Sequence, residues 1–159
     1  MPNMSNKPFP EKVTELLETI IKDNPTHKKF IQDSLIFIND DELKLLEKYL
    51  EFCEKKNYKM SYMAECYRTI LEDSIKEQIY FIRYKEYRNK SYNDVAKNVY
   101  HNKSYMDKYM YGLAITSFLW PNHLKMTRFF IKTLPKNKKG KYLDIGPGHG
   151  YYLMKAMEM

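Results

Sequence analysis

The sequence predicts a mainly α-helical protein whose last residues begin an α/β domain. Two observations predict the helical part. Apolar residues recur at helical spacing between residues 13 and 131, and the stretch 61–88 contains neither glycine nor proline. A third observation predicts the α/β part, because a short apolar run at 141–145 is followed by three closely spaced glycines and a helix-like run.

The first three helices are predicted from apolar spacing and from residues that begin or end helices. Pro10 suits the first turn of the first helix, and Asn24-Pro25 ends it. Thr26 can cap the second helix, and Asp40 or Asp41 opens the third. The residues predicted to face inward are Val13, Leu16, Leu17, Ile20 and Ile21, then Phe30, Ile31, Leu35 and Ile38, then Leu43, Leu46, Leu50 and Cys53.

A long helix is predicted from Ser61 to about Arg88. Its apolar side comprises Met63, Tyr67, Ile70, Leu71, Ile75, Ile79 and Ile82. The residues Ser91–Asp94 resemble a capping box, with an acid three residues after the serine. Another helix is expected over Ser104–Leu119, and Pro121 can start the last one, which ends at Leu134-Pro135.

Composition and charge limit the class of protein. The chain has 159 residues, of which 43% are hydrophobic, which is enough for one domain with a core. It has no run of about 18 apolar residues and no signal-peptide pattern, so we expect a cytoplasmic protein without a membrane span. Cys53 and Cys66 match neither a metal motif nor a disulfide framework, so we expect buried thiols and no metal site.

The charge is unevenly distributed along the chain. Residues 1–79 carry 12 basic and 15 acidic side chains, and residues 80–159 carry 15 and 5, which gives net charges of −3 and +10. A basic half can attract nucleic acid, anionic lipid or a phosphorylated substrate. The alternative, a solvated basic face, is favoured because the basic residues cluster tightly only at Lys136, Lys138, Lys139 and Lys141.

The glycine-rich segment near the end has the features of a ligand-binding turn. In YLDIGPGHGYY, glycines at 146, 148 and 150 let the backbone turn sharply and let a ligand approach closely. The dinucleotide pattern GxGxxG is not met, since Tyr151 stands where its last glycine would be. The GK[ST] sequence of a P-loop is also missing from the segment, so nucleotide phosphate binding is disfavoured.

Residues 144–150 follow the pattern [DE]-x-G-x-G-x-G, which resembles the first motif of class I S-adenosylmethionine-dependent methyltransferases. The resemblance is close across Tyr142–Gly150. It implies a Rossmann-like α/β domain whose first strand ends at Asp144-Ile145, with Asp144 hydrogen-bonding near the amino end of S-adenosylmethionine. The residues that it implies for cofactor binding are Asp144, Ile145, Gly146, Pro147, Gly148, His149, Gly150 and Tyr151.

A looser resemblance extends upstream. The aromatic-rich segment Tyr109–Phe130 looks like the helical cover that such enzymes place over cofactor and substrate. Its candidate site residues are Tyr109, Tyr111, Trp120 and His123. The sequence does not identify a catalytic base, and His123 and Tyr111 are the candidates. The alternative is aromatic core packing with a surface or capping histidine.

The predicted organisation is therefore a helical N-terminal region (1–100), a helical cover segment (101–135) and the truncated start of a cofactor-binding domain (136–159). In the family, the acid that binds the ribose follows about 20 residues after the turn, whereas this sequence ends nine residues after Gly150. We therefore expect the N-terminal part of a longer methyltransferase, inactive as it stands.

Three functions are compatible with these features. The leading one is methyl transfer from S-adenosylmethionine to a small or carrier-borne acceptor. The second makes RNA the acceptor, on the strength of the basic half, although no RNA-binding signature accompanies it. The third is a self-sufficient helical interaction module with a vestigial motif. The helical region is also a candidate surface for homo-oligomerisation.

Overall fold

The computed structural model describes residues 8–135 and 139–158, and their regular structure is helical. None of the helices in these ranges is long and apolar enough to cross a membrane. In chain order the elements are α1 (Glu11–Asp23), a 3₁₀ turn (Pro25–His27), α2 (Lys28–Leu35), α3 (Asp40–Lys55), α4 (Met60–Tyr84), α5 (Tyr92–Val95), a π-helical turn (Ala96–Tyr100), α6 (Lys103–Leu119), α7 (Pro121–Thr133) and α8 (Tyr151–Glu158).

The predicted α/β part is wrong, because the described residues form an all-helical fold without a strand. The apolar run 141–145 is irregular, and Leu143 and Ile145 are 82% and 88% exposed. A strand is stabilised by hydrogen bonds to a neighbouring strand, and the described residues provide no neighbour for this one. The helix predicted after the glycines is present as α8. Lys136 and Lys138 of the predicted lysine cluster lie outside the described residues.

One hydrophobic core joins α1, α2, α3, α4 and α6. The predicted stripe of α1 is confirmed at Val13, Leu16, Leu17 and Ile20, all of which are buried. In α3, Leu46, Leu50 and Cys53 face the same core, as predicted. Amphipathic helices bury their apolar faces together, which supplies the main favourable free energy of folding.

The helices α4 and α6 approach each other closely at Gly112. A Cβ atom on Gly112 would overlap the backbone carbonyl of Cys66 and lie 2.7 Å from Ile70 Cγ1. The missing side chain therefore allows the backbones of α4 and α6 to come within contact distance.

Helix ends are fixed partly by the predicted residues and partly by others. Pro121 begins α7 and Ser91 caps α5, as predicted. The capping residue of α3 is Asn39 rather than Asp40 or Asp41, and its side chain accepts hydrogen bonds from the N–H groups of Asp41 and Glu42. The predicted Thr26 cap is wrong, since α2 begins without a side-chain cap.

The second half of α4 departs from the prediction. Ile75, Ile79 and Ile82 were expected to face inward but are 46%, 59% and 61% exposed. Tyr105, in the first turn of α6, donates its hydroxyl to Asp73 at 2.5 Å. The start of α6 therefore lies beside Asp73 of α4. The turns of α4 after Asp73 extend past the start of α6 and are not covered by it.

Candidate ligand-binding site

A cavity of about 480 Å³ lies between α3, α6 and the segment that joins the glycine-rich turn to α8. Its volume is in the range of small-molecule sites, about 300–1,000 Å³. The lining is mostly aliphatic and aromatic, and comprises Leu45, Lys48, Tyr49, Phe52, Met110, Tyr111, Ala114, Phe118, His149, Gly150, Tyr151 and Met154.

The glycine-rich turn forms one edge of this cavity. Gly146, Gly148 and Gly150 have φ angles of +73°, +56° and +76°, in the left-handed region that favours glycine. No atom lies within 4 Å of where a Cβ on Gly146 or Gly150 would stand, so the backbone conformation rather than crowding requires glycine there. The N–H of Gly150 donates to the carbonyl of Pro147 at 2.8 Å and closes the turn.

His149 attaches the turn to α6. Its Nδ1 accepts a hydrogen bond from the N–H of Tyr151 at 3.3 Å, so Nε2 carries the proton and donates to Ser117 Oγ at 3.2 Å. Ser117 Oγ in turn donates to the carbonyl of Leu113 at 3.0 Å. Burial lowers the pKa of His149, as expected for an imidazole held neutral with both nitrogens in use.

Two aromatic contacts hold α8 against α6 and α7. The ring of Tyr151 meets Phe118 of α6 edge-on at 5.9 Å, and the ring of Tyr152 meets Phe130 of α7 at 4.8 Å. Burial raises the pKa of Tyr151 to about 12, so its phenol is protonated at neutral pH. These contacts fix α8, and with it the residues that follow Gly150, on the rim of the cavity.

The structure divides the eight predicted cofactor residues into two groups. Those that line the cavity are His149, Gly150 and Tyr151. Those that lie away from the lining are Asp144, Ile145, Gly146, Pro147 and Gly148. Asp144 is partly buried and accepts a hydrogen bond from the hydroxyl of Tyr142 at 3.4 Å. The turn therefore has one face toward the cavity and another toward solvent.

Of the candidates in the predicted cover segment, Tyr111 lies on the cavity wall. Burial, with a hydrogen bond to Tyr58, raises the pKa of Tyr111 far above its ordinary value. At neutral pH its phenol can donate a hydrogen bond but cannot remove a proton.

The other three candidates of that segment lie outside the lining. The ring of His123 is 5.1 Å from that of Trp120, and burial lowers the pKa of His123. Trp120 donates its indole N–H to Tyr67, and the ring of Tyr109 stacks on Tyr105 at 6.0 Å. Of these contacts, the bond from Trp120 to Tyr67 joins α4 to the junction of α6 and α7, and none of the three side chains lines the cavity.

The α3 wall was missed by sequence reasoning. Leu45, Tyr49 and Phe52 stand at i, i+4 and i+7, on a second face of α3 beside the one that carries Leu46, Leu50 and Cys53. This spacing is the available signal, because two adjacent apolar stripes on one helix indicate two separate packing surfaces.

Among the described residues, no group of three or more His, Cys, Asp or Glu side chains is arranged to hold a metal ion. No protein-family model, curated protein or solved structure matched the chain in our comparisons. Function is therefore inferred from the chemistry and geometry of the site.

Proposed function

We propose that this chain takes part in methyl transfer from S-adenosylmethionine to a small or carrier-borne acceptor, with the cofactor bound at the turn 144–150, on the edge of the cavity that would hold the acceptor. The observation that supports this most is the conformation of the turn. All three glycines of the [DE]-x-G-x-G-x-G pattern have positive φ, and α8 starts directly after them.

The residues of the turn fit the amino-acid end of this cofactor. Gly146, Pro147 and Gly148 are exposed, so their backbone groups are open to a ligand. Among the described residues, the Asp144 carboxylate accepts one hydrogen bond, from the hydroxyl of Tyr142. A carboxylate beside exposed backbone groups can accept hydrogen bonds from an ammonium group.

When bound, S-adenosylmethionine supplies an electrophilic methyl group. The chain then has to hold the acceptor and exclude water. The cavity wall contributes protonated phenols and a neutral His149 whose nitrogens are both hydrogen-bonded. Because these side chains position a ligand without removing a proton from it, the site suits an acceptor that is already nucleophilic at neutral pH.

The test is titration of the chain with S-adenosylmethionine by calorimetry. Asp144→Asn should weaken binding about tenfold, since it removes a charge-assisted hydrogen bond from a partly exposed site. Gly148→Val should weaken it further, because a β-branched residue disfavours the positive φ at this position. Glu158→Gln is the matched control, an acid of the same segment whose carboxylate pairs with Lys155.

Two results would refute the assignment of the turn. One is a wild-type chain that does not bind S-adenosylmethionine. The other is unchanged affinity in both Asp144→Asn and Gly148→Val.

We also propose a cytoplasmic location. Cys53 and Cys66 are both buried free thiols, and free cysteines are typical of proteins in reducing compartments. Mass spectrometry after alkylation of freshly lysed cells should find both cysteines reduced, and a disulfide in that sample would contradict the proposal.

A further inference from the structure

We propose that the cavity binds an amphiphilic carboxylate, with the apolar body against the aromatic walls and the anionic head at Lys48. The role of this ligand as the methyl acceptor rests on the function proposed above. Its binding rests only on the cavity and on Lys48.

The walls favour an apolar body. Leu45, Phe52, Met110 and Phe118 present carbon surface to the cavity. The nitrogens of His149 already have partners in Tyr151 and Ser117, and the ring of Tyr111 packs against that of Tyr58 at 4.6 Å. An alkyl or aryl group gives up no hydrogen bonds when it enters this cavity, whereas a polar group would lose its hydrogen bonds to water.

Lys48 favours an anionic head. Among the described residues of the lining, Lys48 is the only Lys, Arg, Asp or Glu, and His149 is neutral. No carboxylate of the described residues forms an ion pair with it, whereas Lys44, one turn earlier on α3, pairs with Asp41 at 3.4 Å. Lys48 is exposed, so the head would sit at the solvent-facing mouth.

The exposure of Lys48 sets the size of the expected effect. An ion pair at such a site contributes little because water and salt screen it, so the charge should strengthen binding by about three- to fivefold. Most of the affinity should come from the apolar body, through the area that it removes from water. A neutral ligand of the same length should therefore also bind, but more weakly than the carboxylate.

The experiment compares octanoate with 1-octanol by calorimetry at low ionic strength. Wild type should bind octanoate about three to five times more tightly. Lys48→Gln should remove that preference and leave 1-octanol unchanged, whereas Lys44→Gln should preserve it. Phe52→Ala, which removes part of the wall, should weaken both ligands. Phe129→Ala should weaken neither, because Phe129 is a similarly exposed phenylalanine outside the lining.

Three outcomes would overturn the proposal. They are failure of both ligands to bind, an octanoate preference that survives Lys48→Gln, and equal loss of the preference in Lys44→Gln. The proposed function fails separately, through the S-adenosylmethionine titration. Octanoate binding without S-adenosylmethionine binding would leave the carboxylate site in place and remove its role in methyl transfer.

Discussion

The hydroxyl group of Tyr67 accepts a hydrogen bond from Trp120 Nε1 at 3.0 Å and lies 2.7 Å from Nε2 of His27. Because the indole can only donate, the proton of Tyr67 remains available for His27, and Nε2 accepts it in the tautomer that carries its proton on Nδ1. The Tyr67 side chain is buried and belongs to the core. One phenol thus connects the 3₁₀ turn, α4 and the junction of α6 with α7.

Replacing this hydroxyl should destabilise the protein. Tyr67→Phe keeps the ring but leaves Trp120 Nε1 and His27 Nε2 without their partner, at a cost of about 1–3 kcal/mol. The free energy of unfolding, measured by urea denaturation, gives the value. Tyr92→Phe is the control, since Tyr92 is 75% exposed. Equal stability of Tyr67→Phe and wild type would mean that the network is not formed in solution.

Stability should fall as the pH falls below about 6.5. Burial is the main cause that lowers the pKa of His27, His123 and His149 in the folded chain. The unfolded chain therefore binds protons first as the pH falls. Stability is complete above the unfolded pKa and is lost below it, by at most about 1.4 kcal/mol per pH unit for each histidine.

Urea midpoints at pH 7.5 and pH 5.5 test this dependence. His27→Gln should reduce it, because a glutamine oxygen can accept the Tyr67 hydrogen bond without titrating. A midpoint that stays constant or rises at pH 5.5 would show that these histidines do not control stability in that range.

Adding a single methyl group at Gly112 should be strongly destabilising. In Gly112→Ala the new Cβ would overlap the carbonyl of Cys66, and α4 and α6 would have to separate. We expect a loss of about 3 kcal/mol or more, against a gain of about 1 kcal/mol from helix propensity. Thermal denaturation followed by circular dichroism measures the net effect. A melting temperature at or above that of wild type would exclude the close crossing of the two helices.

The link between α7 and α3 should require arginine. Arg128 donates from Nε to Glu42 Oε1 at 2.8 Å and from Nη2 to Glu42 Oε2 at 2.6 Å, and Nη2 also donates to the carbonyl of Phe37. Arg128→Lys keeps the charge but loses the paired geometry. We expect it to cost about as much as Arg128→Ala, roughly 1 kcal/mol for this partly exposed pair.

A double-mutant cycle with Glu42→Gln separates this coupling from other effects of the substitutions. Full stability of Arg128→Lys would show that charge alone suffices. Independence of the Arg128 and Glu42 substitutions would show that the pair contributes nothing.

The sequence by itself determined where most helices run and, in α1, which face enters the core. In α1, the spacing of Val13, Leu16, Leu17 and Ile20 marks the buried stripe, because 3.6 residues per turn bring these side chains onto one side. Pro121 marks the start of α7, since its fixed φ suits the first turn. The spacing of the three glycines likewise marked a sharp turn before α8.

The tertiary structure decided which parts of each helical face are buried and which residues form the cavity. Ile75 and Met63 belong to the same apolar stripe of α4, yet Ile75 is 46% exposed and Met63 is buried. The difference arises because α6 begins beside the middle of α4 and does not cover its last turns. The cavity exists because residues of α3, α6 and the segment 149–154, which are far apart in the chain, come together in the fold. The run 141–145 has the composition of a strand but no strand beside it, and a strand needs hydrogen bonds that its own residues cannot supply.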